Sequence, residues 1–316
     1  MNIALDMMGG DFAPLEAVKG IKLFLSEKHE NVRLTIIGDE AQLLPLLEEF
    51  EVDRNEITLI HSEQVIEMNE HPTRALKEKP QSSISIGFHL LASSKTDAFI
   101  SAGNTGAMLV GSLYSIKAIE GVTRPAIGAY IPKENGELSL LIDVGLNADC
   151  KPENLAQFAM LGSLYAEQIL NYKEPRIALI NVGEEEGKGN LLCQAAYPLL
   201  KQNGRINFIG NVEGRDLLTG KADVYVCDGF TGNVLLKFAE SFYDLVQKRA
   251  IKDEYLSRFN FEMYGGVPVL GVNKPVIIGH GISGGESFSN MIKIAQRMVT
   301  IDFTGKIKKY FVQESI

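Results

Sequence analysis

The chain has 316 residues, 45% of them hydrophobic and 22% charged, with a formal net charge of -9. That is the composition of a globular protein with a sizeable core. The acidic balance argues against a nucleic-acid partner, and it leaves any acidic partner dependent on a local basic patch.

The first predicted element is a strand, Asn2-Ile3-Ala4-Leu5-Asp6, followed by the turn Met7-Met8-Gly9-Gly10-Asp11. No basic, apolar leader precedes it, so no signal segment is expected. Pro14 suits the first turn of a helix running to about Lys28, with Val18, Ile21 and Leu25 on one face. Val32 to Gly38 reads as a buried strand, Asp39 as the cap of a helix holding Leu43 and Leu47, and Glu56 to Ile60 as a third strand. His61 to Pro80 turns polar, with a short helix at Thr73–Lys79; Ser83 to Ser94 is helical.

The next stretch is the one around which the chain is organised. Asp97 to Ser101 reads as a short buried strand and Ser101-Ala102-Gly103-Asn104-Thr105-Gly106 as a tight turn. A helix follows through Met108, Leu109, Leu113 and Ile116. A glycine-containing turn opening a helix presents free N–H groups and the positive end of the helix dipole, an anion site in principle. The turn matches neither a Walker A loop nor G-x-G-x-x-G. The uncharged run Ala98–Ile116 is long, but the polar turn breaks it, so a membrane span is not expected.

Pro125–Ile131 and Leu138–Asp143, joined by Pro132-Lys133-Glu134-Asn135-Gly136, fit a hairpin. Pro152 opens a long helix, and Arg176 to Val182 is a strand leading into Gly183-Glu184-Glu185-Glu186-Gly187-Lys188-Gly189-Asn190. Then come a helix to Gln202, strands at Ile206–Ile209 and Asp223–Cys227, a helix Thr231–Arg249, a strand Val276–Ile278 and a helix Ser287–Thr300. Alternating strands and helices give an α/β fold with a mainly parallel sheet. The whole of 1–316 reads as a single domain, with His61–Pro80 and a segment at about 248–262 as insertions.

In such sheets ligands gather at the carboxyl ends of strands. The polar turns lie there: Asp6–Asp11, Ser101–Gly106, Asp143–Asn147, Gly183–Asn190 and Asp228–Asn233. Lys188, in a glycine-flanked loop, could hold phosphate, with Glu185 orienting it. Asn233 could donate to a developing oxyanion, or merely cap its helix. Asp6, Asp143 and Asp228 lack tight metal-ligand spacing, so turn and capping chemistry is the safer reading. Cys150, Cys193 and Cys227 form no C-x-x-C pair, and none lies beside an obvious base, which fits an intracellular reduced protein. Without a protein nucleophile, an acyl transfer in which a bound anion attacks is plausible.

In order, these turns resemble the bacterial PlsX proteins, acyl-carrier-protein:phosphate acyltransferases of phospholipid synthesis. The resemblance rests on Ile3–Asp11, Ser101–Gly106, Ile142–Gly145 with Cys150–Glu153, Glu185–Asn190, Asn207–Asp216, Cys227–Asn233 and Tyr264–Gly266, and spans essentially the whole chain. It implies an isocitrate/isopropylmalate-dehydrogenase-like three-layer α/β/α sandwich. The implied reaction joins a fatty acyl chain, carried as a thioester on acyl carrier protein, to inorganic phosphate, without metal or organic cofactor. It further implies a cytoplasmic homodimer with peripheral membrane contact. By similarity Lys188 and Asn233 carry catalysis. Asp6, Gly9, Gly10, Gly103, Asn104, Thr105, Gly106, Asp143, Asn147, Gly187 and Gly189 are the expected phosphate- or substrate-binding positions.

Two departures matter. The family's longer helical hairpin is reduced here to Ala250–Glu262, and Gly284-Gly285-Glu286 replaces a pattern with a basic residue after His280. A basic patch for the carrier is expected at Lys237, Lys248, Arg249 and Lys252, joined by Arg297, with Phe259, Phe261, Met263 and Tyr264 as candidates for lipid contact. The alternatives are a phosphate acetyl- or butyryltransferase using coenzyme A thioesters, a dehydrogenase on the related fold, and a non-catalytic membrane-docked scaffold.

Overall fold

The structure is a computed structural model that describes residues 1–27, 29 and 31–312, without the side chains of Phe261 and Glu262. The first helix was expected to end near Lys28, which lies outside the described residues. In chain order the elements are β1 (Asn2–Asp6), α1 (Leu15–Ser26), β2 (Arg33–Gly38), α2 (Glu40–Glu49), β3 (Ile57–His61), α3 (Pro72–Glu78), α4 (Ser83–Ala92), β4 (Ala98–Ser101) and α5 (Thr105–Gly111). They continue with β5 (Ala126–Pro132), β6 (Leu138–Ile142), α6 (Pro152–Gln168), β7 (Arg176–Ile180), α7 (Leu191–Gln202), β8 (Asn207–Val212), β9 (Val224–Val226) and α8 (Gly229–Lys248). Last come α9 (Glu254–Ser257), β10 (Val267–Leu270), β11 (Val276–Ile278), α10 (Gly285–Thr300) and α11 (Phe303–Val312).

Short polar residues start these helices as the sequence suggests. Asp39 accepts from the amide of Ala41, Ser82 from Ser85, Asn104 from Ala107, Asn190 from Cys193 and Asp228 from Thr231. Each satisfies one of the orphan amides of a first helical turn. Beyond α5 the chain continues as a π-helical turn, Ser112–Ile116.

The chain divides into two compact units. One comprises Met1–Ile119 and Glu262–Lys306. Its strands run in the order β3-β2-β1-β4-β11-β10, parallel except for β10 against β11. Ile3 pairs with Leu34 on one side and Ala98 on the other, and Ile277 pairs with Ile100. The other unit comprises Glu120–Phe261 and the chain from Ile307 onward. Its order is β5-β6-β9-β7-β8, parallel except for the β5–β6 hairpin, in which Tyr130 faces Leu140. The expected mainly parallel α/β class and the expected hairpin are both present. The strands are nearly continuous apolar runs because both faces of a parallel sheet are covered: β1, β4, β6 and β9 are almost wholly buried.

The strands' amino ends carry structural charge. Asp223, just before β9, binds Lys133 at 2.7 Å and Arg176 at 2.9 Å, with the Lys133 side chain only 1% exposed. Burial raises the Asp223 carboxyl, but hydrogen bonds from Arg176 and Lys133 more than offset it and leave it below the ordinary carboxylate range. Phe259, expected as a lipid contact, is instead core: it is 1% exposed and packs against Phe242 and Tyr255. Among the described residues no helix is long and apolar enough to cross a membrane.

Candidate active site

In the first unit, the turn after β1 meets the turn after β4. Asp6 is buried; its Oδ2 accepts from Ser101 Oγ at 2.6 Å and its Oδ1 from the Met8 amide at 2.9 Å. Ser101 Oγ in turn accepts from the Gly103 amide at 2.9 Å. A Cβ on Gly9 would stand 2.4 Å from Asp6 Oδ2 and 2.6 Å from the Gly103 nitrogen, so only glycine lets the two turns touch. Gly10 takes a positive φ of 107°, and the following Asp11 amide donates to Gly281 O. Burial raises the Asp6 carboxyl, against hydrogen bonds from Ser101, Ser83 and the Met8 and Gly9 amides.

Asn104 is buried and fully engaged. Its Oδ1 caps the Ala107 amide, and its Nδ2 donates to the carbonyls of Glu67, Met68 and Glu70. Thus two amides of this turn, those of Gly103 and Ala107, serve intramolecular acceptors. Among the described residues the amides of Thr105 and Gly106, in the first turn of α5, meet no intramolecular acceptor, and Thr105 itself is exposed.

In the second unit, Asp143 organises the turn after β6. Its Oδ1 accepts from the amides of Ile127, Gly145 and Leu146, and its Oδ2 from Asn147 N at 2.7 Å and Asn147 Nδ2 at 2.8 Å. Burial pushes its carboxyl up, opposed by these bonds. Asn147 Nδ2 also donates to Pro125 O. Asp143 and Asn147 are therefore turn-builders, as the safer reading had it for Asp143. The start of α8 is clamped onto this turn: the Gly229 amide donates to Asn147 O at 2.7 Å. A Cβ on Gly232 would stand only 1.8 Å from Asp143 O.

Asn233, the next residue, is exposed and donates through Nδ2 to Val144 O at 3.1 Å. Capping of α8 belongs to Asp228, whose two oxygens take the amide and hydroxyl of Thr231. Asn233 is thus no cap. An amide nitrogen carries two N–H groups, and the bond to Val144 leaves one for a ligand.

Lys188 lies in the irregular segment between β7 and α7, exposed, its stem against Gly183. The glutamates flanking it are drawn to other cations: Glu184 to Lys221 at 2.5 Å and Glu186 to Lys201. Glu185, expected to orient Lys188, makes no ion pair with it; its carbonyl instead accepts the Lys188 amide at 3.1 Å. Among the described residues the Lys188 ammonium has no carboxylate partner, so its charge stands uncompensated. Gly187 has open space around it, and Gly189 takes a positive φ of 96°.

Between this loop and α8 lies a cleft of about 200 Å³. Asn181, Val182 and Asn190 wall it on the loop side; Cys227, Asp228 and Thr231 wall it at the start of α8. It sits at the carboxyl ends of β7 and β9, where the fold places ligands. Cys193 also lines it, but burial raises the thiols of Cys193 and, far more, Cys227, and pushes Cys150 up to about 11. These thiols stay protonated and are poor nucleophiles. A larger groove of about 850 Å³, beside Leu76, Ile86, Phe88 and Tyr114, lies away from the strand ends.

The structure thus gathers Asp6, Gly9 and Gly103 in one unit, and Asp143, Asn147 and Asn233 in the other, with Lys188, Gly187 and Gly189 on the loop beside the 200 Å³ cleft. Asn181 and Asn211 were missed. Both hold the Lys188 loop, and the only sequence signal was an asparagine ending a strand before a glycine-rich segment.

The carboxyl ends of the strands thus carry the candidate site, and comparison with known proteins gives the class of the chain. A family model described as fatty acid synthesis protein matches residues 1–306. A phosphate acyltransferase from Dictyoglomus turgidum is 43% identical over 326 residues, covering 97% of this chain and 96% of its own. One from Aquifex aeolicus is 42% identical over 328 residues, covering 97% and 96%. In fold, a phosphotransacetylase from Streptococcus pyogenes matches with a TM-score of 0.68 at 15% identity, covering 95% of this chain and 94% of its own. A 4-hydroxythreonine-4-phosphate dehydrogenase from Klebsiella pneumoniae matches at 0.58 and 14%, covering 94% and 99%. The chain belongs to the phosphate acyltransferase family of fatty acid synthesis proteins, and it is an acyltransferase.

Proposed function

We propose that the chain transfers a fatty acyl group from the thioester of an acyl carrier protein to inorganic phosphate, releasing acyl phosphate and free carrier. The observation that carries this reading is the Lys188 ammonium, without a carboxylate partner among the described residues, on the loop whose Val182 and Asn190 wall one side of the cleft, while Asn233 follows Thr231 of its other wall by two residues. A phosphate oxygen attacks the thioester carbonyl carbon; the new C–O bond forms, the C–S bond breaks, and the thiolate leaves to take up a proton. Lys188 offsets phosphate charge, and Asn233 donates to the oxygen on which negative charge grows. The raised thiols support direct attack by phosphate over an acyl-cysteine. Phe230, Val234 and Phe238, four residues apart and exposed on the helix that carries Asn233, suit a substrate with an apolar tail. Both compact units are proposed to serve this single activity. The resemblance adds the proposals of a homodimer and of peripheral membrane contact.

The test is acyl-phosphate formation, trapped with hydroxylamine, from acyl-carrier thioester and from acyl-coenzyme A in parallel. Faster turnover of the carrier thioester is expected; exclusive use of coenzyme A thioester would move the protein to the acetyl/butyryltransferase class. Lys188→Ala is expected to keep the fold and lose ~100-fold or more in turnover, the scale for one preorganised electrostatic group. Wild-type turnover in a folded Lys188→Ala protein removes Lys188 from the mechanism. Soaking a crystal in phosphate tests whether the anion meets Lys188 or the Thr105 and Gly106 amides.

A further inference from the structure

We propose that Asn211 is a positioning residue for phosphate chemistry, acting through Lys188; the proposal rests on the reading of Lys188 given above. The segment that carries Lys188 has no regular structure and contains Gly183, Gly187 and Gly189, so nothing local fixes its course. Two asparagines do. Asn181 Nδ2 donates to Lys188 O at 3.1 Å, and its Oδ1 accepts from the Val182 amide. Asn211 Nδ2 donates to Glu185 O at 2.9 Å, the same oxygen that accepts the Lys188 amide. One carbonyl thus joins the Lys188 backbone to strand β8. The loop's other ties include a hydrogen bond from Gln194 Nε2 to Gly189 O at 2.9 Å, beyond Lys188, and two largely exposed ion pairs, Glu184 to Lys221 and Glu186 to Lys201, that hold little.

The strand is distorted to make this contact. Ile177 pairs with Phe208, but Leu179 pairs with Asn211, so β8 carries one residue more than β7 across that interval. Gly210 absorbs it with a positive φ of 102°. A bulge of this kind shifts the pairing register by one and re-aims the side chain that follows, and bulges recur beside active sites. Asn211 is only 4% exposed, and its Oδ1 has no partner among the described residues. A buried amide with one oxygen unsatisfied is poor packing, so an apolar residue would suit strand stability better. What it supplies is the single bond to Glu185 O. That bond sets where the Lys188 backbone starts and therefore where its ammonium can reach.

The experiment is a double-mutant cycle in full-length protein, with phosphate-dependent initial rates for wild type, Asn211→Leu, Lys188→Ala and the double variant. Leucine keeps the branched shape and heavy-atom count and removes the donor. Asn211→Leu is expected to melt at or above the wild-type temperature, to lower kcat/KM for phosphate about tenfold, the scale of one lost orienting hydrogen bond, and to have no further effect in the Lys188→Ala background. Hydrogen exchange at the Lys188 amide is expected to quicken. Full activity of Asn211→Leu, or effects that multiply in the double variant, overturns the proposal while leaving Lys188 catalytic. Wild-type activity of Lys188→Ala overturns the Lys188 reading and the proposal with it. If Asn211→Leu does not fold, Asn211→Ala is read by the same cycle.

Discussion

Gly232→Ala sets two effects of known size against each other. Alanine is favoured over glycine inside a helix by about 1 kcal/mol, so propensity alone says the variant is more stable. Packing says the opposite. The new Cβ would stand 1.8 Å from Asp143 O and 3.0 Å from Cys227 Sγ, and ordinary contact begins at 3.4 Å, so the first turn of α8 must retreat by roughly 3.4 − 1.8 = 1.6 Å. The obstacle is a backbone carbonyl, in a turn held by the Asp143 side chain, and it cannot swing aside as a side chain would. Overpacking of this kind costs about 1–3 kcal/mol. The expected result is a lower melting temperature, not a higher one. Asn233 is the next residue and moves with the helix, and an ångström of misplacement is worth ~100-fold in rate. The expected turnover in the hydroxylamine assay is therefore about a hundredth of wild type, in protein whose circular dichroism remains native. Gly204→Ala, with nothing within 4 Å of the added carbon, is the control and is expected to change neither property. Wild-type stability and turnover in Gly232→Ala would show that the turn yields without displacing Asn233, and the clamp argument would fail.

The remaining predictions are simpler. Asn233→Ala is expected to lower kcat more than it raises the phosphate KM, because a donor to a growing oxyanion acts mainly in the transition state; a pure KM effect would make it a binding residue. Asp223→Ala leaves the buried Lys133 with only the more exposed Glu137 carboxylate at 3.4 Å and is expected to cost about 3–5 kcal/mol of stability, read by denaturant unfolding. In the wild type the Asp223 carboxyl is held below its unfolded value, so its stabilisation is full above the ordinary carboxylate range and is lost as pH falls through the depressed folded value. A melting temperature that declines in acid more steeply for the wild type than for Asp223→Ala is the expected signature; parallel curves would contradict it. The carrier-docking proposal is tested at Lys248, Arg249 and Lys252, at and beyond the end of α8. Lys248→Glu with Arg249→Glu is expected to raise KM for the carrier thioester, leave the phosphate KM unchanged, and reduce the sensitivity of the rate to salt. Undiminished use of the carrier at low salt places docking elsewhere.

Much of the fold was legible because its signals are local. Apolar runs such as Ile3–Leu5, Ile177–Ile180 and Val276–Ile278 read as buried strands, and Asp39 announced a helix start by capping chemistry. The turn Pro132–Gly136 fixed the β5–β6 hairpin of the second unit. By contrast, β10, the π-helical turn at Ser112–Ile116 and α11 went unread. The first is a short strand containing Pro268, which breaks the strand signal, the second needs i to i+5 bonding that no sequence period marks, and the third packs by contacts distant in the chain.

The sequence alone determined that polar turns rich in glycine, asparagine and aspartate would stand at the carboxyl ends of parallel strands, because strand, turn and helix start follow from neighbours a few residues apart. Only tertiary structure decided what each turn has left to offer. Gly103 and Ala107 looked like free donors until Ser101 and Asn104 were seen to occupy them. Asn233 looked like a cap until Asp228 took that role and Val144 drew its amide aside. Lys188 became the uncompensated cation only when Glu184 and Glu186 were found tied to Lys221 and Lys201, one of them distant in sequence, and when Asn211, on another strand, was found holding its loop. Whether a donor or a charge is free is a question of satisfied partners. Partners are chosen across the fold by distance in space, which no local pattern of residues encodes.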